Sequence, residues 1–140
     1  MEYFNYDNKL TPRKGSLLLS EPFLPDPNFE RTVVLLCEHN EEGSFGFVMN
    51  KPSLVTVEEL MEDCDGMDAK VYVGGPVQQN TFHFLHKNAD IEGSVEIMNG
   101  IYWGGDFEQM RELIQVHGAT TRDYKFFIGC LLYTSDAADD

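Results

Sequence analysis

Short apolar stretches, each ended by glycine, proline or polar residues, divide the chain into predicted strands. Residues 31–39 (RTVVLLCEH) are apolar on both faces and rich in β-branched side chains, which is typical of a strand covered on both sides. The turn NEEG and a second apolar stretch at residues 44–50 follow at once, which predicts an antiparallel hairpin. Further strands are expected at 15–20, 69–73, 81–86, 94–97 and 123–129, and a proline-rich loop at 21–30.

Two helices are predicted between these strands. Thr56 and Glu59 have the spacing of a capping box, and Asp106 with Gln109 marks a second helix start. After Thr56, apolar residues recur at the spacing of an amphipathic helix: Val57, Leu60, Met61 and Cys64. Strands outnumber helices, and both turns and helices join them. The pattern therefore predicts a single domain with one mixed sheet and helices against it.

The net charge of the chain limits the kinds of partner that it could bind. With 24 acidic and 10 basic residues, the chain of 140 residues has a formal charge of −14, which disfavours direct binding to nucleic acid or to an anionic membrane surface. No stretch resembles a secretory signal or reaches the roughly 20 apolar residues of a membrane span. The three cysteines lack CxxC spacing and are expected to be reduced thiols. These features predict a cytoplasmic protein whose partner is a small anion or another protein.

Four strings, in this order, resemble the AlgH/YqgE family of bacterial proteins: GSLLLSEPFLPDPNFERTVVLLCEHNEEGSFGFVMNKP, VYVGGPVQQNTFHFLH, IYWGGDF and KFFIG. The resemblance implies an α+β fold, in a single domain, with a mixed sheet curled into a flattened pseudo-barrel and flanking helices. It implies no settled biochemistry. A role in transcriptional regulation has been suggested for one branch, but the family has no recognised DNA-binding element, so such a role is expected to act through a protein partner.

The resemblance also suggests domain boundaries. Residues 1–14 are expected to be an N-terminal arm, and 15–130 an AlgH/YqgE-like domain that is incomplete at its C-terminus. Residues 131–140 (LLYTSDAADD) resemble a translated sequencing-adapter fragment and are expected to be a non-native tail. Such a tail would leave the apolar strand at 123–129 without cover or a neighbouring strand.

Several residues are candidates for a small polar pocket. The glycine turn at Gly74 and Gly75 lets a ligand approach the backbone, although a tight strand exit explains it more simply. Two predicted strand ends carry imidazoles, His39 and His86. Asn50 and the neighbouring Lys51 offer an amide and an ammonium group, and they also fit an ordinary turn before a proline.

The chemistry of these candidates supports two functional hypotheses. The first is a non-enzymatic binding or regulatory protein that uses the six residues as a ligand pocket. The alternative is a hydrolase- or transferase-like enzyme, with His39 or His86 as general base and the Gly74 and Gly75 amides stabilising an anion. Close approach of His39, Asn50 and His86 would favour the enzyme.

No metal site or cofactor is predicted. His83 and His86 would face opposite sides of a strand, and the cysteines lack the spacing of zinc ligands. Cys37 lies two residues before His39 and would share its face of the strand, but a buried cysteine that acts as a small apolar residue is the simpler interpretation. The acidic residues between 58 and 68 are expected to be the solvated face of the first helix.

Overall fold

Nine strands and two helices form within the part of the chain that the structure, a computed structural model, describes: residues 13–20 and 32–134. In chain order they are β1 (Leu17–Ser20), β2 (Thr32–Asn40), β3 (Gly43–Val48), β4 (Pro52–Thr56), α1 (Val57–Leu60), β5 (Lys70–Val73), β6 (Val77–His86), β7 (Val95–Met98), β8 (Ile101–Trp103), α2 (Phe107–Gln115) and β9 (Tyr124–Thr134). A short 3-10 turn, Thr121–Asp123, leads into β9.

The strands form one mixed sheet in the order β1-β2-β3-β9-β6-β8-β7, with β4 and β5 beside this path. The β2–β3 hairpin is antiparallel, as predicted, and so is every other pair except β5 with β9, which is parallel. The long β9 lies at the centre, because it pairs with β6 along one edge and with β5 and then β3 along the other. The predicted α+β domain with a mixed sheet is confirmed.

One face of the sheet is concave. Phe45 on β3 contacts Trp103 on β8, with ring centroids 4.7 Å apart, although β9 and β6 lie between these strands in the sheet order. Strands so far apart in the order meet only if the sheet curls into a half-barrel. An apolar cluster fills this concave face: Leu35, Cys37, Phe47, Leu85, Ile97, Phe127 and Cys130.

The opposite face packs against the helices. Phe126 on β9 and Met110 on α2 are fully buried in this second cluster, and Val57 at the start of α1 joins them. Asp106 caps α2 by accepting from the Gln109 amide, as the spacing predicted. Phe126 and Phe127 are therefore neighbours in sequence that support opposite sides of the sheet.

The first helix is shorter than predicted. Thr56 and Glu59 form the expected capping box, but α1 ends at Leu60 because Met61 is already extended and Asp63 adopts a left-handed conformation with φ of 63°. Cys64 still reaches the apolar cluster from an irregular loop. The apolar spacing thus predicted the burial of Val57 and Cys64 correctly, whereas Leu60 is exposed and the helix is shorter than predicted.

The last strand is longer than predicted. The expected end was Gly129, but β9 continues to Thr134 and its final residues pair with β3. Residues 126–128 pair with β6 on one edge and with β5 on the other, so the expectation that this apolar strand would lack a neighbouring strand is wrong. The short strands β4 and β8 were not predicted. The proline-rich loop at 21–30 and most of the N-terminal arm lie outside the described residues.

No helix among residues 13–20 and 32–134 has the length and apolar character required to cross a bilayer.

Candidate functional site

A cleft of about 600 Å³ opens at one end of the concave face. Its floor is apolar, with Leu35 and Leu85 buried beneath the more exposed Leu17 and Met98. Volumes of this size and concave apolar surfaces are typical of sites for small organic ligands. We call this feature the cationic cleft, because its other lining residues carry positive charge.

Four basic side chains line the cleft: Lys70, Lys87, Arg122 and Lys125. Among the described residues, Asp123 is the single carboxylate residue of the lining. Within the described residues, none of the four cations forms an ion pair; the ion pair found there joins Arg111 to Glu108 on α2. Although the protein has 24 acidic and 10 basic residues, four cations without an ion-pair partner among the described residues lie together at this site.

The register of the sheet explains why these cations meet. Val71 on β5 pairs with Phe126 on the parallel β9, so the preceding residues, Lys70 and Lys125, are neighbours across the two strands. Like charges side by side on a sheet oppose folding. The Lys125 ammonium lies 3.8 Å from the centroid of the Tyr72 ring, which holds it at the cleft through a cation–π contact.

The other two cations come from the turns that flank this pair. Arg122 lies in the 3-10 turn just before β9. Lys87 directly follows β6, whose last residue, His86, is the register partner of Tyr124. All four basic side chains therefore surround the beginning of β9, which defines a cationic end of the cleft.

His86 lies in the same cleft and is 2% exposed. Its Nδ1 accepts from the Asn88 amide at 3.1 Å, so the neutral ring carries its proton on Nε2, which donates to the Gly104 carbonyl at 2.8 Å. The Ser94 hydroxyl oxygen also lies 3.1 Å from Nε2. Because both ring nitrogens have partners within the protein, His86 holds the β8 end of the fold and is poorly placed to act as a general base.

Burial makes His86 sensitive to pH. Desolvation lowers its pKa below the ordinary value of 6.5, more strongly than the Gly104 carbonyl raises it. A proton on Nδ1 would also face the Asn88 N–H. The unfolded chain therefore takes up this proton at higher pH than the folded protein does. As a result, the contribution of neutral His86 to the free energy of unfolding is complete above the unfolded-state pKa and declines as pH falls below about 6.5.

We expect the free energy of unfolding to fall more steeply between pH 7 and pH 5.5 in the wild-type protein than in His86→Gln. Urea denaturation at several pH values measures both curves. Effects of the overall negative charge and of His83, whose pKa burial also lowers, are common to the two proteins and cancel in the comparison. Equal slopes would contradict the assignment of a buried neutral role to His86.

The structure separates the other predicted site residues from His86. His39 is exposed on β2, with its Nδ1 2.5 Å from the hydroxyl oxygen of Ser44, its register partner on β3. Ser44 in turn pairs with Tyr133 on β9, whereas His86 pairs with Tyr124. At about 3.3 Å per strand residue, these two positions are roughly 30 Å apart along β9. His39 and His86 therefore do not share one pocket, contrary to the expectation from the sequence.

Asn50 and Lys51 hold the turn after β3. The Asn50 side-chain oxygen accepts from the Val33 amide at 3.0 Å, and the Lys51 carbonyl accepts from the Val73 amide at 2.8 Å. Met49, next to them, lines the cationic cleft, but Asn50 and Lys51 are not among its lining residues. Their observed contacts join strands to one another.

Gly74 and Gly75 lie where the connection between β5 and β6 passes close to the backbone of β9. The Gly74 amide donates to the Ile128 carbonyl at 2.8 Å, and a Cβ placed on Gly74 would lie 2.5 Å from the Gly129 carbonyl oxygen. On Gly75 it would lie 2.2 Å from the Cys130 carbonyl oxygen. These glycines let the β5–β6 connection pass directly over β9, which matches the simpler of the two interpretations of this turn.

The remaining thiol and imidazole groups do not assemble a reactive site. Burial raises the pKa of Cys37 to about 12, so its thiol stays protonated, whereas the nearby His39 is exposed. His83 contacts Phe45 and Phe47 on the concave face, away from His86. Among residues 13–20 and 32–134, no three His, Cys, Asp or Glu side chains are grouped so that they could hold a metal ion.

A second depression, of about 640 Å³, follows the exposed side of α2. Charged and amide side chains line it, and two of them tie the helix to the irregular loop after α1. Arg111 donates to the Asp63 carbonyl at 3.0 Å, and Gln115 donates to the Asp63 and Asp65 carbonyls at 3.0 Å. These contacts describe a hydrated helix face that secures a loop.

Comparison with known proteins supports the fold and the family resemblance. A family model described as AlgH-like (DUF179) matches residues 17–137. A UPF0301 protein of Chlorobaculum tepidum is 48% identical over 118 residues, which is 84% of this chain and 63% of that protein. A UPF0301 protein of Cytophaga hutchinsonii is 43% identical over 118 residues, covering 83% of this chain and 65% of the relative. The chain thus spans a little under two thirds of the length of these relatives.

Two solved structures share the architecture. The solution structure of AlgH from Pseudomonas aeruginosa matches with a TM-score of 0.67 and 25% identity, over 90% of this chain and 70% of that one. The crystal structure of a Corynebacterium diphtheriae protein matches with a TM-score of 0.66 and 21% identity, over 93% and 71% of the two chains, and this likeness concerns the fold alone.

Proposed function

The chain belongs to the AlgH-like family, and on that premise we propose that it is a non-enzymatic, cytoplasmic binding protein whose cationic cleft recognises an organic anion. The UPF0301 relatives carry names that state no activity, so the proposal is based on the chemistry of the site. Any regulatory role would act through a protein partner that responds to ligand occupancy. The formal charge of −14 opposes a direct contact with nucleic acid.

The observation that supports this proposal is the group of four basic side chains without ion-pair partners among the described residues: Lys70, Lys87, Arg122 and Lys125. Cations held close together repel one another. An anionic ligand bound between them would remove this repulsion. Its charge-assisted hydrogen bonds would also be stronger than those between neutral groups.

The alternative of a hydrolase- or transferase-like enzyme receives little support from the geometry. Its general bases would be His39, which lies far along the sheet, or His86, whose two nitrogens are already hydrogen-bonded. The Gly74 amide, which was to stabilise an anion, donates to a backbone carbonyl. The binding hypothesis requires no rearrangement of the cleft.

We expect 2-naphthoate to bind the wild-type protein and raise its melting temperature, because binding to the folded state alone stabilises it. The double variant Lys70→Gln/Lys125→Gln should bind about tenfold more weakly, the loss expected for one hydrogen bond to a charged group. Isothermal titration calorimetry measures the affinity. A matched double variant, Lys14→Gln/Lys51→Gln, removes the same charge from exposed lysines outside the cleft and should bind normally.

Two results would contradict the proposal. One is equal weakening in both double variants, which would indicate a general effect of net charge. The other is equal affinity for 2-naphthoate and the uncharged 2-naphthylmethanol, which would show that the cleft does not select an anion. Melting temperatures of the unliganded variants control for folding.

A further inference from the structure

The cationic cleft has two chemically different ends. Its cations surround the start of β9, whereas Leu17 and Met98 contribute exposed apolar side chains from β1 and β7, strands that do not pair with β9. Building on the proposed function, we propose that the ligand is a single-chain amphipathic carboxylate of the fatty-acid type. Its head group lies between the cations, and its alkyl chain extends along the apolar end.

The cationic end suits a carboxylate head group. Lys70 and Lys125 are neighbours across β5 and β9, so one carboxylate between them contacts two ammonium groups at once. The Tyr72 ring fixes the Lys125 ammonium, which lowers the entropy lost when a ligand binds. Arg122 adds a planar guanidinium group that matches the two oxygens of a carboxylate.

The apolar end exposes side chains that an alkyl chain would cover. Leu17 is 61% exposed and Met98 is 39% exposed, although both line the cleft. Leu17 pairs with Leu35 on β2, so the two leucines form a continuous apolar strip from the rim to the buried floor. Covering such a strip with methylene groups is favourable in proportion to the area removed from water.

The floor of the cleft is apolar, and the imidazole beside it is not available to a ligand. His86, which lines the wall, has both of its ring nitrogens engaged by Asn88 and Gly104. Leu85, the register partner of Lys125, forms the floor between the cations and the apolar strip. A polar ligand body placed here would lose hydrogen bonds to water without replacement, which selects an alkyl chain over a sugar or a nucleoside.

The test is a chain-length series of sodium carboxylates, from butyrate to decanoate, titrated calorimetrically below the concentrations at which they form micelles. Affinity should rise about three- to fourfold for each methylene group that the cleft covers, and then stop rising. Octanol should bind at least about tenfold more weakly than octanoate, because it lacks the charge that the lysines recognise.

Variants separate the two ends. Lys70→Gln/Lys125→Gln should weaken all carboxylates by a similar factor. Met98→Asn should weaken decanoate and leave butyrate unchanged. Leu54→Asn, at a residue that is 93% exposed and outside the cleft, is the matched control and should change neither.

Each other outcome overturns a distinct claim. If butyrate binds as tightly as decanoate and both depend on the lysines, the cleft binds anions but the alkyl-chain inference fails. If octanol binds as tightly as octanoate and the lysine variants have no effect, the proposed anion recognition fails as well. If free carboxylates do not bind, and the protein sediments with phosphatidylglycerol vesicles in a lysine-dependent manner, the cations serve a bilayer surface and the inference is wrong.

Discussion

Gly129→Ala is expected to destabilise the protein by about 2–3 kcal/mol more than Gly118→Ala. The two glycines have nearly the same left-handed backbone, with φ of 75° and 76°, so the intrinsic cost of placing alanine there, about 1–2 kcal/mol, is common to both. Their surroundings differ. A Cβ on Gly129 would lie 2.4 Å from the Gly75 carbonyl oxygen, whereas a Cβ on Gly118 meets nothing within 4 Å.

The backbone of this crossing has no room to move aside. Gly74 and Gly75 lie against Gly129 and Cys130, and the Gly74 amide is hydrogen-bonded to the carbonyl of Ile128, so a shift of one strand breaks the pairing of the other. Urea denaturation of the two alanine variants measures the difference. Equal losses of stability would mean that the crossing is loose, and that the glycines serve only the backbone conformation.

The alternation of apolar residues was sufficient to predict most of the sheet. Residues 34–37 (VLLC) are buried on both faces because alternate side chains join different apolar clusters, and the hairpin with β3 follows from the short turn. The strand β8 was missed because it has only 3 residues, IYW, and β4 was missed because its sequence, PSLVT, begins with proline and its Leu54 is 93% exposed. Their pairing depends on the strands beside them, which local sequence does not report.

The cationic cleft could not be predicted from the sequence. Its cations are scattered between Lys70 and Lys125 and form no motif. They meet because β5 pairs in parallel with β9 across more than fifty intervening residues, a register that no local pattern encodes. His86 was proposed as a strand-end residue and does line the cleft, whereas Gly74 and Gly75 were proposed because a ligand could approach their backbone, and the space beside them is filled by β9.

Phe126→Ala and Phe127→Ala should each destabilise the protein by about 3–5 kcal/mol, because each ring is fully buried and its removal leaves a cavity. The rings point to opposite sides of the sheet. Phe126 stacks on Phe82 at 5.8 Å in the helix-covered cluster, and Phe127 stacks on Phe47 at 4.7 Å in the concave cluster. Thermal and urea denaturation test both losses, and a loss below about 1 kcal/mol at either site would contradict close packing on that face.

The milder variants Phe126→Leu and Phe127→Leu distinguish the two faces by function. The ring of Phe127 also contacts the ring of Tyr72, with centroids 6.1 Å apart, and Tyr72 holds the Lys125 ammonium at the cleft. With a smaller residue at position 127, the Tyr72 ring gains freedom, and the ammonium loses its fixed position. We therefore expect Phe127→Leu to weaken binding of 2-naphthoate and Phe126→Leu to leave it unchanged, although the two variants lose similar stability. Calorimetric titration at a temperature where both are folded measures this, and equal affinities would show that the concave core does not support the cleft.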